Sequence, residues 1–137
     1  MKIVLDTNVL VSGFLNPYGP PGLLVQYAAD GSLKLCYDAR ILAEYREVLL
    51  RPRFRFDTSA IEDFLEQIKA DGYLVIPKPL AGRLPDAADE AFLETALTAA
   101  AAYLVTGNKK HYPPALTQGA KIVSPAEFLD IFRVKSR

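Results

Sequence analysis

Short apolar runs alternate with segments of helical period along the whole chain, and that alternation leaves few folds open. Lys2 to Asp6, Leu33 to Tyr37, Tyr73 to Ile76, Tyr103 to Thr106 and Lys121 to Val123 read as strands. A short helix from Asn8 to Phe14 follows the first, and Pro21 to Ala29 gives a second helix that stops before Asp30-Gly31. A third is capped by Asp38 and runs to about Leu50, where Arg51-Pro52 ends it. Thr58 or Ser59 caps a fourth that ends at Asp71-Gly72, Ala87 to about Ala101 gives a fifth, and Ser124-Pro125 opens a last helix to about Phe132. Strands alternating with helices predict an α/β fold, a parallel sheet covered on both faces and joined by right-handed crossovers. The 137 residues, half of them apolar, fit one domain over 1–137, without internal repeat or linker.

Composition removes several function classes. Sixteen basic and sixteen acidic side chains cancel, so a polyanionic partner must be held by a local basic patch or through metal ions. One cysteine, Cys36, excludes an internal disulfide and a cysteine-rich zinc site, and its apolar neighbours mark it as a small core residue. His111 is the single histidine, which argues against a structural zinc and a Ser-His-Asp triad, and it reads as a loop residue. The first residues lack the layout of a signal peptide, and no apolar run approaches the roughly 20 residues that span a bilayer. The expectation is a cytoplasmic protein with no membrane contact.

Acidic residues carry the chemical signal. Asp6 closes the first apolar strand, and in open parallel sheets ligands bind outside the carboxyl ends of the strands. Glu44 falls within the apolar stripe Ile41, Leu42, Tyr45, Val48 and Leu49 of the third helix, a spacing that turns it inward. Asp89 stands at the head of the face formed by Phe92, Leu93, Ala96, Leu97 and Ala100, with Asp86 one turn earlier. Each acid alone has a structural explanation. Asp-Thr-Asn is a good turn and helix-start sequence, Glu44 could reach water or pair with Arg40 or Arg46, and Asp86 and Asp89 suit a helix N-terminus. Together, acids on three separate elements point to a shared site. Clustered carboxylates repel one another, a dication relieves that repulsion, and oxygen ligands without histidine or cysteine favour Mg²⁺ or Mn²⁺. Such ions support phosphodiester hydrolysis.

The ordered set Val4-Leu5-Asp6-Thr7-Asn8-Val9-Leu10, Glu44 to Leu49 with Arg51-Pro52, Asp86 to Asp89 leading into Phe92-Leu93, and Leu104-Val105-Thr106-Gly107-Asn108 resembles the PIN-domain family, which includes the VapC-like ribonuclease toxins. The resemblance implies a three-layer α/β/α sandwich, PIN-like, with a central parallel sheet of about five strands. It implies Asp6, Glu44 and Asp89 as metal-holding catalytic acids, with Asp86 as an additional metal ligand. The position after the Thr-Gly turn is Asp in many members and Asn108 here. An Asn there can orient a water or offer a carbonyl oxygen but adds no charge. The implied activity is a Mg²⁺- or Mn²⁺-dependent ribonuclease acting on RNA, the toxin of a pair held inactive by a small antitoxin protein.

Substrate grip is expected from Lys109 and Lys110, directly after Asn108, and from Arg51 and Arg53, which with Arg55 interleave with Phe54 and Phe56. A solvated loop with two core phenylalanines also accounts for that arginine segment. Phe128, Ile131 and Phe132 on the last helix suit a homodimer or an antitoxin groove as readily as the core. Two other activities fit the same residues: a nuclease acting on DNA or in RNA processing without an antitoxin, and a catalytically silent module that binds RNA or protein. A response-regulator-like phosphoacceptor also uses strand-end acids, but the later strands offer no matching Asp and Lys.

Overall fold

The computed structural model describes residues 1–136. Its strands are β1 (Lys2–Leu5), β2 (Lys34–Tyr37), β3 (Tyr73–Leu74), β4 (Tyr103–Val105) and β5 (Ile122–Val123). Its helices are α1 (Thr7–Leu15), α2 (Pro20–Ala29), α3 (Ala39–Leu49), α4 (Thr58–Asp71), α5 (Glu90–Thr98) and α6 (Pro125–Lys135). All neighbouring strands pair in parallel, in the order β3-β2-β1-β4-β5. The result is a five-stranded parallel sheet flanked by six helices, an α/β/α sandwich.

The central strand shows why the sheet must be covered twice. Successive strand residues point to opposite faces, yet Ile3, Val4 and Leu5 are each 0 % exposed. Helix α5 packs on β1, β2 and β4, α4 on β2, and α6 on β4. Chain order runs outward from β1 in one direction through β2 and β3, and in the other from β4 to β5. That reversal opens a crevice at the carboxyl ends of β1 and β4, the place where such sheets bind ligands.

Local boundaries depart from the sequence reading in instructive ways. Asp57, not Thr58 or Ser59, caps α4, its side chain accepting from the Ser59 N–H at 2.9 Å. The segment expected as one helix from Ala87 to Ala101 is a 3-10 turn at Ala87–Asp89 followed by α5, which ends at Thr98. Ala100 is left-handed with φ of 50°, and the Ala102 N–H already donates to the Lys2 carbonyl at 2.8 Å. The chain has to reverse there to enter β4, so the alanines cannot extend the helix. β3 stops at Leu74, with one more sheet-like bond from Val75 N–H to the Tyr37 carbonyl, before Pro77 and Pro79 remove donors. Helix α6 continues to Lys135, beyond Phe132, and its Phe128 is fully buried, which removes that ring from any docking surface. Cys36 is a buried core residue, as its neighbours imply.

No helix among the described residues is long and apolar enough to cross a membrane.

Candidate metal centre and active site

Two carboxylates end the central strands, and they have different fates. Asp38, after β2, is fully engaged: Oδ1 accepts from the Ile41 N–H at 2.8 Å, capping α3, and Oδ2 accepts from the Arg40 guanidinium at 2.8 Å. Asp6, after β1, occupies the N-cap position of α1 but its side chain caps nothing. It is 5 % exposed and turned into the crevice, where Oδ2 accepts from the Thr106 hydroxyl at 2.9 Å and the Tyr112 hydroxyl at 3.0 Å. Asn8 ties the two strand ends together, its Oδ1 accepting from the Gly107 N–H at 2.9 Å. Asp6 thus starts α1 as the sequence suggests, but its side chain makes no cap bond and is held by hydroxyls from the loop after β4.

Glu44 approaches from α3. Its half-buried carboxylate accepts from the Thr7 hydroxyl, so the residue next to Asp6 fixes it against the end of β1. The following residue, Tyr45, is fully buried and donates its hydroxyl to the Leu5 carbonyl, locking α3 to the same strand. Asp89 comes from the opposite side, at the start of α5, 7 % exposed and without a capping role. Asp86 is exposed and does cap, accepting from the Ala88 N–H at 2.9 Å, so its structural explanation holds.

The charges of Asp6, Glu44 and Asp89 act on one another, although the ligand atoms of the three do not gather within 4.8 Å as a group among the described residues. Burial pushes the Asp89 carboxyl up from 3.8 to about 6, and the charges of Asp6, Asp86 and Glu44 add to the effect while His111 opposes it. Asp6 is raised by burial against the hydrogen bonds of Thr106 and Tyr112, and Glu44 by burial, with the Asp6 charge adding to it. Burial and the Asp6 charge push Tyr112 far up, which keeps its hydroxyl a donor. Asp89 Oδ2 is buried without any hydrogen-bond donor. Its near neighbour is His111 Nδ1 at 3.0 Å, placed there by a 3-10 turn at Lys109–His111. Asp86, Asp89 and His111 bring ligand atoms within 4.8 Å of one another. Asp6 and Glu44 stand outside that group.

These contacts correct one sequence expectation and add to another. His111 faces Asp89 where a plain loop residue was expected, and its imidazole nitrogen lies among the carboxylates that could hold an ion, beside the oxygen donors the sequence suggested. Thr7, Thr106 and Tyr112 were not singled out from the sequence; short polar side chains one or two residues from strand ends were the only signal for the threonines. Asn108 follows β4 at the rim of the crevice, half-buried, its N–H donating to Thr106 Oγ1 at 3.1 Å.

The basic candidates divide. Arg51 forms a two-pronged ion pair with Glu47 and exerts its charge on Glu44, which places it near the acids. Arg53 lies over the Phe54 ring, 4.8 Å from guanidinium carbon to centroid, and the Phe54 and Phe56 rings stack at 5.3 Å. Lys109 is held by Glu127 at 2.8 Å, at the capping box of α6, while Lys110 is exposed and without an ion pair among the described residues. Arg40, offered by the sequence as a partner of Glu44, instead bridges Asp38 and Glu94, and Arg46 pairs with Glu62; Arg40 stands on the wall of a cleft of about 270 Å³ lined also by Glu44, Ala87, Ala88 and Ala91.

The family model for the PIN domain matches residues 2–110, from β1 through the strand-end loop that carries Asn108. No curated protein matches the chain.

Proposed function

The chain belongs to the PIN domain family, with its nuclease-type fold, and on that premise we propose that it is a magnesium- or manganese-dependent endoribonuclease that hydrolyses RNA phosphodiester bonds. One observation carries the reading: the buried Asp89 Oδ2 has no donor, while Asp6 and Glu44 raise the proton affinity of the same carboxyl. A buried carboxylate oxygen without a hydrogen bond, with only the His111 ring nitrogen close by, is expensive, and hard oxygen donors beside it fit a divalent cation. Asp6, Glu44 and Asp89 would hold the ion, with Asp86 at the rim. When bound, the ion supplies charge neutralisation at the phosphodiester and lowers the pKa of water.

The chain's own residues supply the remaining functions. Tyr112 and Thr106 donate to Asp6 Oδ2 and hold that carboxylate at the end of β1. The Asn108 amide, at the rim beyond β4, would orient the attacking water. Phosphates of the strand would meet Lys110, Lys109, Arg51 and Arg53, with the cleft beside Glu44 receiving a flanking nucleotide against Arg40. The resemblance to VapC-like toxins supports a toxin held inactive by a small antitoxin, working as a homodimer in the cytoplasm.

The test is cleavage of RNA with Mg²⁺ or Mn²⁺, with EDTA, and by Asp6→Asn. Cleavage that EDTA stops and Asp6→Asn abolishes is expected; undiminished cleavage by the variant would refute the reading. Asn108, neutral where a charge would strengthen ion binding, favours one alternative, a silent RNA- or protein-binding module. A calorimetric titration in which no dication binds would decide for it. Faster cleavage of a matched DNA would reassign the substrate.

A further inference from the structure

Asp86, Asp89 and His111 belong to no single element: the carboxylates come from the turn before α5 and the imidazole from the turn after β4. Asp89 Oδ2 lies 3.0 Å from His111 Nδ1, yet that oxygen has no hydrogen-bond partner, so the ring N–H is not directed along the contact. The Asp89 side chain is 10 % exposed, and its orphaned oxygen and the ring nitrogen approach a common point that Asp86 can reach, all three ligand atoms lying within 4.8 Å. Around a first-row dication, cis ligands stand roughly 3 Å apart and trans ligands about 4 Å apart. The Asp89 to His111 spacing is already that of a cis pair, and the exposed Asp86 carboxylate and the 41 % exposed imidazole can close the remainder by side-chain rotation.

We propose that Asp86, Asp89 and His111 form a second cation position, bridged by Asp89 to the Asp6–Glu44 pocket and selective for a borderline dication such as Mn²⁺ or Co²⁺ over Mg²⁺. The bridging part rests on the nuclease reading; the cation position does not. Selectivity follows from the nitrogen. Mg²⁺ favours oxygen and water, whereas imidazole suits transition metals.

The experiment is pulsed EPR and equilibrium titration of Mn²⁺ on the metal-stripped full chain, with Mg²⁺ competition. Native protein is expected to show nitrogen coupling to bound Mn²⁺ and preference for Mn²⁺ over Mg²⁺. His111→Ala should lose the coupling and at least about tenfold in affinity for that ion. His111→Asp, which puts an anionic oxygen where the ring nitrogen stood, should retain binding without nitrogen coupling and lose the preference. Native protein without nitrogen coupling, or His111→Ala binding Mn²⁺ as native does, would overturn the assignment and leave the nuclease reading intact. Native protein that binds Mn²⁺ through nitrogen but cleaves no RNA would refute the nuclease reading and keep the cation position.

Discussion

Replacing Asp89 by Asn should make the metal-free protein more stable while it destroys cation binding. Burial, with the Asp6 charge behind it, raises the Asp89 carboxyl from 3.8 to about 6. The folded chain therefore binds this proton more tightly than the unfolded chain, and ionising it opposes folding. That cost is fully present above about pH 6, shrinks as pH falls toward 3.8, and vanishes below, where both states are protonated. The displacement is roughly hundredfold in proton affinity, or about 3 kcal/mol at neutral pH. Asn has the same shape and no charge, so in EDTA the variant should gain up to about 3 kcal/mol, and its Tm should rise by roughly 3 °C for each kcal/mol. Urea unfolding in EDTA between about pH 8 and pH 4 measures this. Native stability should rise as pH falls, and the slope should be shallower in the variant; Asp6 and Glu44, raised in the same direction, keep it from reaching zero. With Mn²⁺ at about a hundred times its Kd, native protein should recover about 2.7 kcal/mol and the variant almost none. Equal stabilities in EDTA, or an unchanged pH slope, would refute the argument from burial and repulsion.

Two further perturbations test the scaffold around the acids. Tyr112→Phe keeps the ring of a side chain 1 % exposed and deletes the donor to Asp6 Oδ2, so stability should fall by about 1.5–3 kcal/mol at neutral pH and dication affinity by at least about tenfold. Denaturation and calorimetry check it, and an unchanged metal affinity would show that Tyr112 does not position Asp6. Gly22→Ala should destabilise the α1–α2 connection by about 1–3 kcal/mol in urea, since the added Cβ would lie 2.3 Å from the Pro17 carbonyl oxygen, a backbone atom that cannot rotate aside; full native stability would show that the loop yields.

The alternation of strands and helices was legible because parallel strands buried on both faces are continuous apolar runs, of which Ile3-Val4-Leu5 is the clearest. Glu44 and Asp89 were legible because helical period places a residue on a face whatever the rest of the molecule does. What failed were boundaries fixed by distant partners. Thr98 ends α5 because Ala102 must already bond to Lys2, a constraint no window around the alanines contains. His111 and Tyr112 were invisible for the same reason. Nothing local distinguishes a loop histidine from one whose 3-10 turn carries it across to Asp89, and the separations from their partners, Tyr112 from Asp6 above all, exceed any local pattern.

Asp6 and Asp38 show how far a carboxylate's position alone can be trusted. Both follow buried parallel strands, both precede a helix, and they are 5 % and 4 % exposed. Position would assign both to the crevice. Their donors separate them: Asp38 takes an amide and a guanidinium and is complete as a cap, while Asp6 forgoes the cap available to it and takes two hydroxyls on one oxygen. A hydroxyl orients a carboxylate without neutralising it, and burial leaves the Asp6 charge costly, so a cation there would be stabilising. Asp89 carries the same reasoning further, since its buried oxygen has no donor at all. The site is therefore marked by the acids that folding leaves incompletely satisfied, and the charge left there is what a dication, and through it a phosphodiester, would be drawn to.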